Sequence, residues 1–169
     1  MTGVVHDGNS AFIPANQVKE ATFAAHEIVF GASITEDSLT GYTLTSGNGA
    51  FGAAVELLQA TTTPVIAGKT HFMLTRIGAV GVSVATPYLV RLIWGISDVA
   101  TAEAAKQYTT FGMYPSGVGA NVTGGAIVIP FPRLPAGTKV WAKCKNATNG
   151  ATVSFLIGIF ETPNTTAIV

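Results

Sequence analysis

Three histidines, one cysteine and nine acidic residues are the groups in this 169-residue chain able to ligate a metal, move a proton or attack a carbon centre. His6, His26 and His71 stand far apart. None belongs to a His-x-His, His-Glu-x-x-His or Cys/His ligand spacing, so the sequence supports no zinc site. His71 falls early in an alternating apolar run and reads as a structural or exposed strand residue. Triads assemble in space rather than in chain order, but the chain contains no Gly-x-Ser-x-Gly elbow. Cys144 alternates with Val140 and Ala142 and reads as a small core residue. A single cysteine permits no intramolecular disulfide, which excludes a stapled secreted scaffold.

The carboxylates are too sparse for an obvious acid/base pair. Glycoside hydrolysis needs two of them about 5–10 Å apart, and beyond residue 50 only Glu56, Asp98, Glu103 and Glu161 remain. Gly117-Val118-Gly119 and Gly124-Gly125 read as turns, with no Gly-Lys-Ser/Thr after them to cradle a phosphate. Asn-x-Thr triplets at Asn121, Asn146 and Asn164 matter only in a secretory pathway. The N-terminus has neither a basic n-region nor an apolar h-region, so the expectation is a product made in a cytosol. Trp94, Trp141, Tyr88, Tyr108 and Tyr114 are the residues a glycan would stack on, or they are core and interface aromatics. These residues lead us to expect a protein that is not an enzyme and carries no cofactor.

Composition points to assembly. The chain is 48% hydrophobic and 11% charged, where soluble domains carry about 25% charged residues. A monomer so poor in charge presents much neutral and apolar surface to water, which an oligomer would bury. No stretch approaches the roughly 18 apolar residues of a membrane-spanning helix. Zero formal net charge argues against a nucleic-acid partner. The charges are segregated: Asp7, Glu20, Glu27, Glu36 and Asp37 face Lys19 alone in residues 1–40, whereas Arg133, Lys139, Lys143 and Lys145 face Glu161 alone in 130–169. The two ends are complementary, within one subunit or between neighbours, unless the asymmetry is chance.

Residues 1–49 hold most of the acids and read as an arm or added layer; residues 50–169 read as the main domain. Asn16 to Phe30 suits a short helix capped by Asn16, or includes a strand near His26 to Phe30. From Phe51 onward, short apolar runs separated by Gly, Pro, Asn and Thr predict an all-β antiparallel sandwich. The strand candidates are roughly 51–60, 69–80, 87–96, 108–114, 124–131, 138–146 and 151–161. Period-two alternation puts Tyr88, Val90, Leu92 and Trp94 on one face and Leu89, Arg91 and Ile93 on the other. It likewise separates Val140, Ala142 and Cys144 from Lys139, Trp141, Lys143 and Lys145, and Val153, Phe155, Ile157 and Ile159 from Leu156, Gly158 and Phe160. Trp141 on the lysine face either covers the stems of Lys139 and Lys143 or buries in a subunit contact. Asn149-Gly150 predicts a hairpin between the last two strands. Asp98 to Gln107 predicts a short helix capped by Asp98. Prolines 64, 87, 130, 132 and 135 fall where strands begin, end or lie at an edge.

Several segments resemble virion structural proteins of tailed bacteriophages, of the capsid-decoration or head-fibre kind. The resemblance is carried by Phe51-Gly52, Thr63-Pro64, Pro87-Tyr88, Arg91 with Ile93-Trp94-Gly95, Pro132-Arg133, Gly137 through Lys143, Asn146-Ala147 and Gly158 through Glu161. It covers about two thirds of the chain and omits residues 1–49. It departs at Ile159-Phe160-Glu161, where the family pattern is more polar. It implies a jelly-roll-like domain, often trimeric, mounted on a major capsid protein or another virion protein, with no catalytic residues. The candidate interface residues are Trp141, Lys139, Lys143, Arg133, Phe160, Glu27, Glu36 and Asp37, and the expected location is the virion.

Overall fold

The computed structural model describes residues 5–6, 12–13, 27–30, 40–58, 70–118 and 127–162; for the first three segments and Thr162 it describes the backbone alone. Among the described residues, thirteen strands and one helix follow in chain order: β1 (Val5–His6), β2 (Phe12–Ile13), β3 (Glu27–Phe30), β4 (Tyr42–Thr45), β5 (Gly47–Asn48), β6 (Val55–Leu58), β7 (His71–Val82), β8 (Tyr88–Gly95), α1 (Val99–Ala104), β9 (Tyr108–Met113), β10 (Ile127–Val128), β11 (Leu134–Pro135), β12 (Lys139–Asn146) and β13 (Thr152–Thr162). Among the described strands, β1 and β2 pair only with each other.

The remaining strands form two sheets, each effectively four strands wide. In the first, β7 and β13 are the centre, β10 and β11 share the outer edge of β7, and β3 and β4 share that of β13. In the second, β12 and β8 are the centre, β9 flanks β8, and β5 and β6 flank β12. Every pairing is antiparallel except the two-residue contact of β5 with β12. The all-β sandwich class is therefore as expected, and each strand candidate beyond residue 50 holds a strand.

The alternation read from sequence becomes the core. Tyr88, Val90 and Leu92 of β8, Val140, Ala142 and Cys144 of β12, and Val153, Phe155, Ile157 and Ile159 of β13 meet between the sheets and are buried. A period of two on facing strands lets two sheets interdigitate about 10 Å apart. Phe72, Leu74 and Ile77 of β7 complete the layer. Register shifts against β13 let this long strand keep apolar residues inward despite uneven spacing.

One expectation is corrected: β12 and β13 are not a hairpin. Both edges of β12 are occupied by β8 and by β5 with β6, and β13 belongs to the opposite sheet. The connection is an arch from sheet to sheet, in which Gly150 takes the positive φ of 71°. Alternation defines which face of a strand is apolar but not which strand lies beside it. Here the two apolar faces oppose each other across the core instead of extending one sheet. Residues 27–30, 42–45 and 47–48 of the segment read as an arm or added layer are strands of the two sheets. β3 and β4 are strands of the first sheet, β5 belongs to the second, and Tyr42 and Leu44 are core residues. The Tyr42 hydroxyl donates to the Leu57 carbonyl (2.8 Å), and burial pushes its pKa up to about 12. Of the segment read as helix or strand, Glu27–Phe30 is strand and pairs with Ile157–Phe160; Asn16 to His26 lies outside the described residues.

Three sheet-to-sheet crossings converge at one end of the sandwich. At Ser46 the chain leaves β4 for β5; its N–H donates to the Ala151 carbonyl (2.8 Å) and its hydroxyl to that of Thr148 (2.8 Å). At Ser83 the N–H donates to the Thr152 carbonyl (3.0 Å), and the Ser83 hydroxyl accepts from the Thr152 N–H (2.8 Å). Asn146 ties the third crossing to the second: its side-chain amide donates to Thr86 Oγ1 (2.9 Å) and the Pro87 carbonyl (3.0 Å), while its oxygen accepts from the Thr148 N–H (2.8 Å). Asn146 is 2% exposed. In the folded chain the Asn146-Ala147-Thr148 triplet is thus a structural tie.

Asn146→Ala should strand these buried groups and lower unfolding stability by about 2–3 kcal/mol. Urea unfolding with an unchanged m-value is the measurement. A loss below about 0.5 kcal/mol would mean that water replaces the amide.

Candidate functional site

Of the charged candidates, Lys139 and Lys143 lie on the outer face of the second sheet. β12 presents Lys139, Trp141, Lys143 and Lys145 there, and register places Lys143 beside Arg91, Trp141 beside Ile93 and Lys145 beside Leu89. Two cations directly opposite on neighbouring strands repel. The fold answers with Glu103 of α1, whose carboxylate accepts from Arg91 (2.9 Å) and from Lys143. The Arg91 guanidinium lies 4.2 Å from the ring centroids of both Phe51 and Tyr108, and its Nε donates to the Thr110 hydroxyl (3.2 Å). Lys143 Nζ is 5.4 Å from the Phe51 ring. A flat, weakly hydrated guanidinium suits such flanking rings better than a strongly hydrated ammonium does.

The helix that brings Glu103 here is built as its sequence predicts. Asp98 caps it, accepting from the Thr101 N–H (2.9 Å) and hydroxyl (2.8 Å). Its buried side, Ala102, rests on Trp141 and Ile93, with Ala54, Val99 and Tyr108 packed around them. Trp141 is 7% exposed. It lies on the lysine face as expected, but this chain's own helix covers it. The choice between lysine stems and a subunit contact is thus superseded: Trp141 centres a small second core.

The other candidates stand apart. Lys139 Nζ donates to the Ser97 carbonyl (3.3 Å). Arg133 is exposed in the connection before β11. Phe160 is half-buried on the opposite sheet, in register with Met73 and Glu27. The Glu27 side chain and both Glu36 and Asp37 lie outside the described residues. β3 pairs with β13 within one subunit, but the charged residue of β13 is Glu161, so this pairing brings none of the four cations to Glu27. Sequence reasoning placed Arg91 on the correct face but missed Glu103, Phe51 and Tyr108 as its partners. The one available signal was the isolated Arg in an apolar strand, which requires an acid from elsewhere.

The aromatic platform is not assembled. Tyr88 is in the core, Trp94 packs edge-on against Phe131 (centroids 5.0 Å apart) on that inner side, and Trp141 lies beneath the helix. Of the five, Tyr114 alone is exposed.

Chemically the cluster is a clamp. Partial burial pushes the Glu103 carboxyl up, but the hydrogen bonds and charges of Lys143 and Arg91 outweigh it and hold the pKa below the usual carboxylate range. Asp98 is also held low, at about 2 against an ordinary 3.8, chiefly by the Thr101 N–H and then by the Thr101 and Ser97 hydroxyls. Burial raises the Cys144 thiol to about 11, so it stays protonated and unreactive. Among the described residues no group of three or more His, Cys, Asp or Glu could hold a metal ion.

Both depressed carboxyls stabilise the folded state above their unfolded pKa values, and that contribution is lost as pH falls through the folded ones. The attachment of α1 should therefore weaken between about pH 4 and pH 2. In a Trp94→Phe background, Trp141 fluorescence should shift to the red over this interval, and Asp98→Asn should remove part of the shift. A flat profile down to pH 2 would show that apolar contacts alone hold the helix.

No family model, curated protein or solved structure matches the chain.

Proposed function

We propose that the chain is a virion structural protein, a capsid-decoration or head-fibre subunit that associates with copies of itself and with a capsid protein. The observation that carries this reading is the apolar surface left on a charge-poor sandwich. Ile96 is 82% exposed, Val128 81%, Tyr114 79% and Val118 59%, in a chain with 11% charged residues. Single exposed apolar residues are ordinary; their recurrence where charge is so scarce favours surfaces covered in an assembly. The clamp around Arg91 supports the same reading, because it uses the outer-face charges for rigidity and leaves no free acid or base within it. The bacteriophage resemblance supplies the particular assembly and its trimeric form. No helix among the described residues is long and apolar enough to cross a membrane.

Antibody against the purified chain should label the outside of virions from the source culture in electron microscopy, and the chain should rebind to particles stripped of it. Virions without label, and no rebinding, would overturn the proposal. Attachment through the acidic N-terminal segment is tested by deleting residues 1–26, which spares β3, in combination with Glu36→Gln and Asp37→Asn. Rebinding should weaken while the thermal transition persists, and unchanged rebinding would remove the segment from the contact.

A further inference from the structure

The sheet edges differ in how they are guarded. On the first sheet, β10 and β11 have two residues each, with Pro130 and Pro132 between them and Pro135 inside β11. Its other edge is divided between β3 and β4. On the second sheet, β5 and β6 share one edge, and β6 carries Glu56 and meets a register shift in β12. β9 is the exception: six residues, Tyr108-Thr-Thr-Phe-Gly-Met113, without proline or charge. No described strand lies beyond it. Natural edges carry prolines, charges or bulges because a plain one templates pairing with another chain.

The phase of the free groups follows from the existing ladder. The Trp94 N–H donates to the Gln107 carbonyl (3.1 Å), and β8 continues in antiparallel register to Met113. By alternation, Thr109, Phe111 and Met113 direct their backbone groups at β8, while Tyr108, Thr110 and Gly112 direct theirs outward. A second antiparallel copy about a two-fold axis through Thr110 satisfies these three residues on both chains, with about six hydrogen bonds. That register opposes Tyr108 to Gly112 and Phe111 to Thr109, so each aromatic meets a small partner and no charges oppose. Tyr108 lies over Arg91 of its own chain and Tyr114 already covers the face of Gly112, so the backbone groups rather than new aromatic contacts carry this pairing.

From this self-complementarity we infer that β9 is a homotypic assembly edge: two copies join β9 to β9, antiparallel and centred on Thr110, into one continuous eight-strand-wide sheet. The inference deepens the assembly reading above and rests on it for the expectation that this chain associates at all. A two-fold contact builds dimers, or higher even-numbered assemblies, where the virion resemblance implies trimers.

Sedimentation velocity on the full chain, from micromolar to hundreds of micromolar, should show concentration-dependent dimers. Thr110→Pro, which removes an outward N–H, and Gly112→Lys, which adds an edge charge, should each shift the midpoint at least tenfold upward while circular dichroism stays native. If Thr110→Pro fails to fold, Gly112→Lys alone decides. Under mild oxidation Thr110→Cys should cross-link as a covalent dimer much faster than the exposed control Thr45→Cys, since facing Cα atoms in such a pair sit about 5.5 Å apart. A wild-type chain that stays monomeric, dimers indifferent to both edge variants, or Thr110→Cys cross-linking no faster than the control would each overturn the edge. Virion labelling is independent: particles carrying the chain but showing no β9 dependence sink the edge alone, and β9 dimers absent from particles sink the virion reading alone.

Discussion

Gly52→Ala should be the most damaging alanine substitution among the described glycines, lowering unfolding stability by about 4 kcal/mol or more. Gly52 follows the crossing from β4 to β5 and donates its N–H to the Cys144 carbonyl of β12 (2.9 Å). A β-carbon there would fall inside the van der Waals shell of the Thr45 carbonyl oxygen and 2.9 Å from the Thr45 carbonyl carbon. Both obstacles are backbone, so no rotamer change relieves them. The Gly52 segment is held on one side by β12, and Thr45 on the other by its pairing with Thr152 of β13. Relief therefore means loosening one of the two sheets. Whole domains are stable by only about 5–15 kcal/mol, so the variant should unfold at much lower urea or be recovered as aggregate.

Two other glycines calibrate the prediction. A β-carbon at Gly78 meets nothing within 4 Å, so Gly78→Ala should stay within about 0.5 kcal/mol of the parent. Gly49 has equally open surroundings but a φ of 59°, so Gly49→Ala should cost about 1 kcal/mol through backbone strain alone. Equal losses at all three positions would show that the close approach at Gly52 does not determine stability.

Trp141→Ala should lower stability by about 3–4 kcal/mol, because it removes the centre of the small core under α1. Ile93, Ala102 and Trp141 are its buried members, and no other large side chain can refill the space without moving the helix. Loosening α1 also withdraws Glu103, leaving Arg91 and Lys143 side by side without their shared carboxylate. Glu103→Gln alone should be milder, on the order of 1 kcal/mol, and more marked at low salt. Trp141→Phe should recover most of the loss.

The same variant separates two roles for the residue. As a core residue, Trp141→Ala lowers the thermal midpoint, while the molecules that remain folded associate as before. An interface residue would do the reverse, with association lost at unchanged stability. A change under about 1 kcal/mol together with lost association would overturn the structural role.

Strand faces were legible in the sequence because alternation reports a local geometric fact: successive side chains point to opposite sides of a strand. Hence the inward sets of β8, β12 and β13 and the buried Cys144 follow from residue order alone. The helix after β8 was legible for an equally local reason, since Asp98 meets Thr101 within one turn. Charge scarcity is a property of composition, so it raises the question of assembly whatever the fold.

Partnership was not legible, because pairing depends on residues distant in the chain. Asn149-Gly150 carries a turn signal that a hairpin and an arch between sheets share. The arch prevails because β12 already has neighbours on both sides. Residues 1–49 read as an arm or added layer from composition, and only pairing with β13 and β12 puts residues 42–45 and 47–48 into the two sheets. Trp141 looked available among its lysines, and only the return of α1 across the sheet buries it. The clamp joins Phe51, Arg91, Glu103, Tyr108 and Lys143, which no spacing rule connects. Local sequence determined the elements and their apolar faces; the tertiary structure decided which faces, edges and charges were already satisfied, because satisfaction depends on neighbours that only the folded chain brings together.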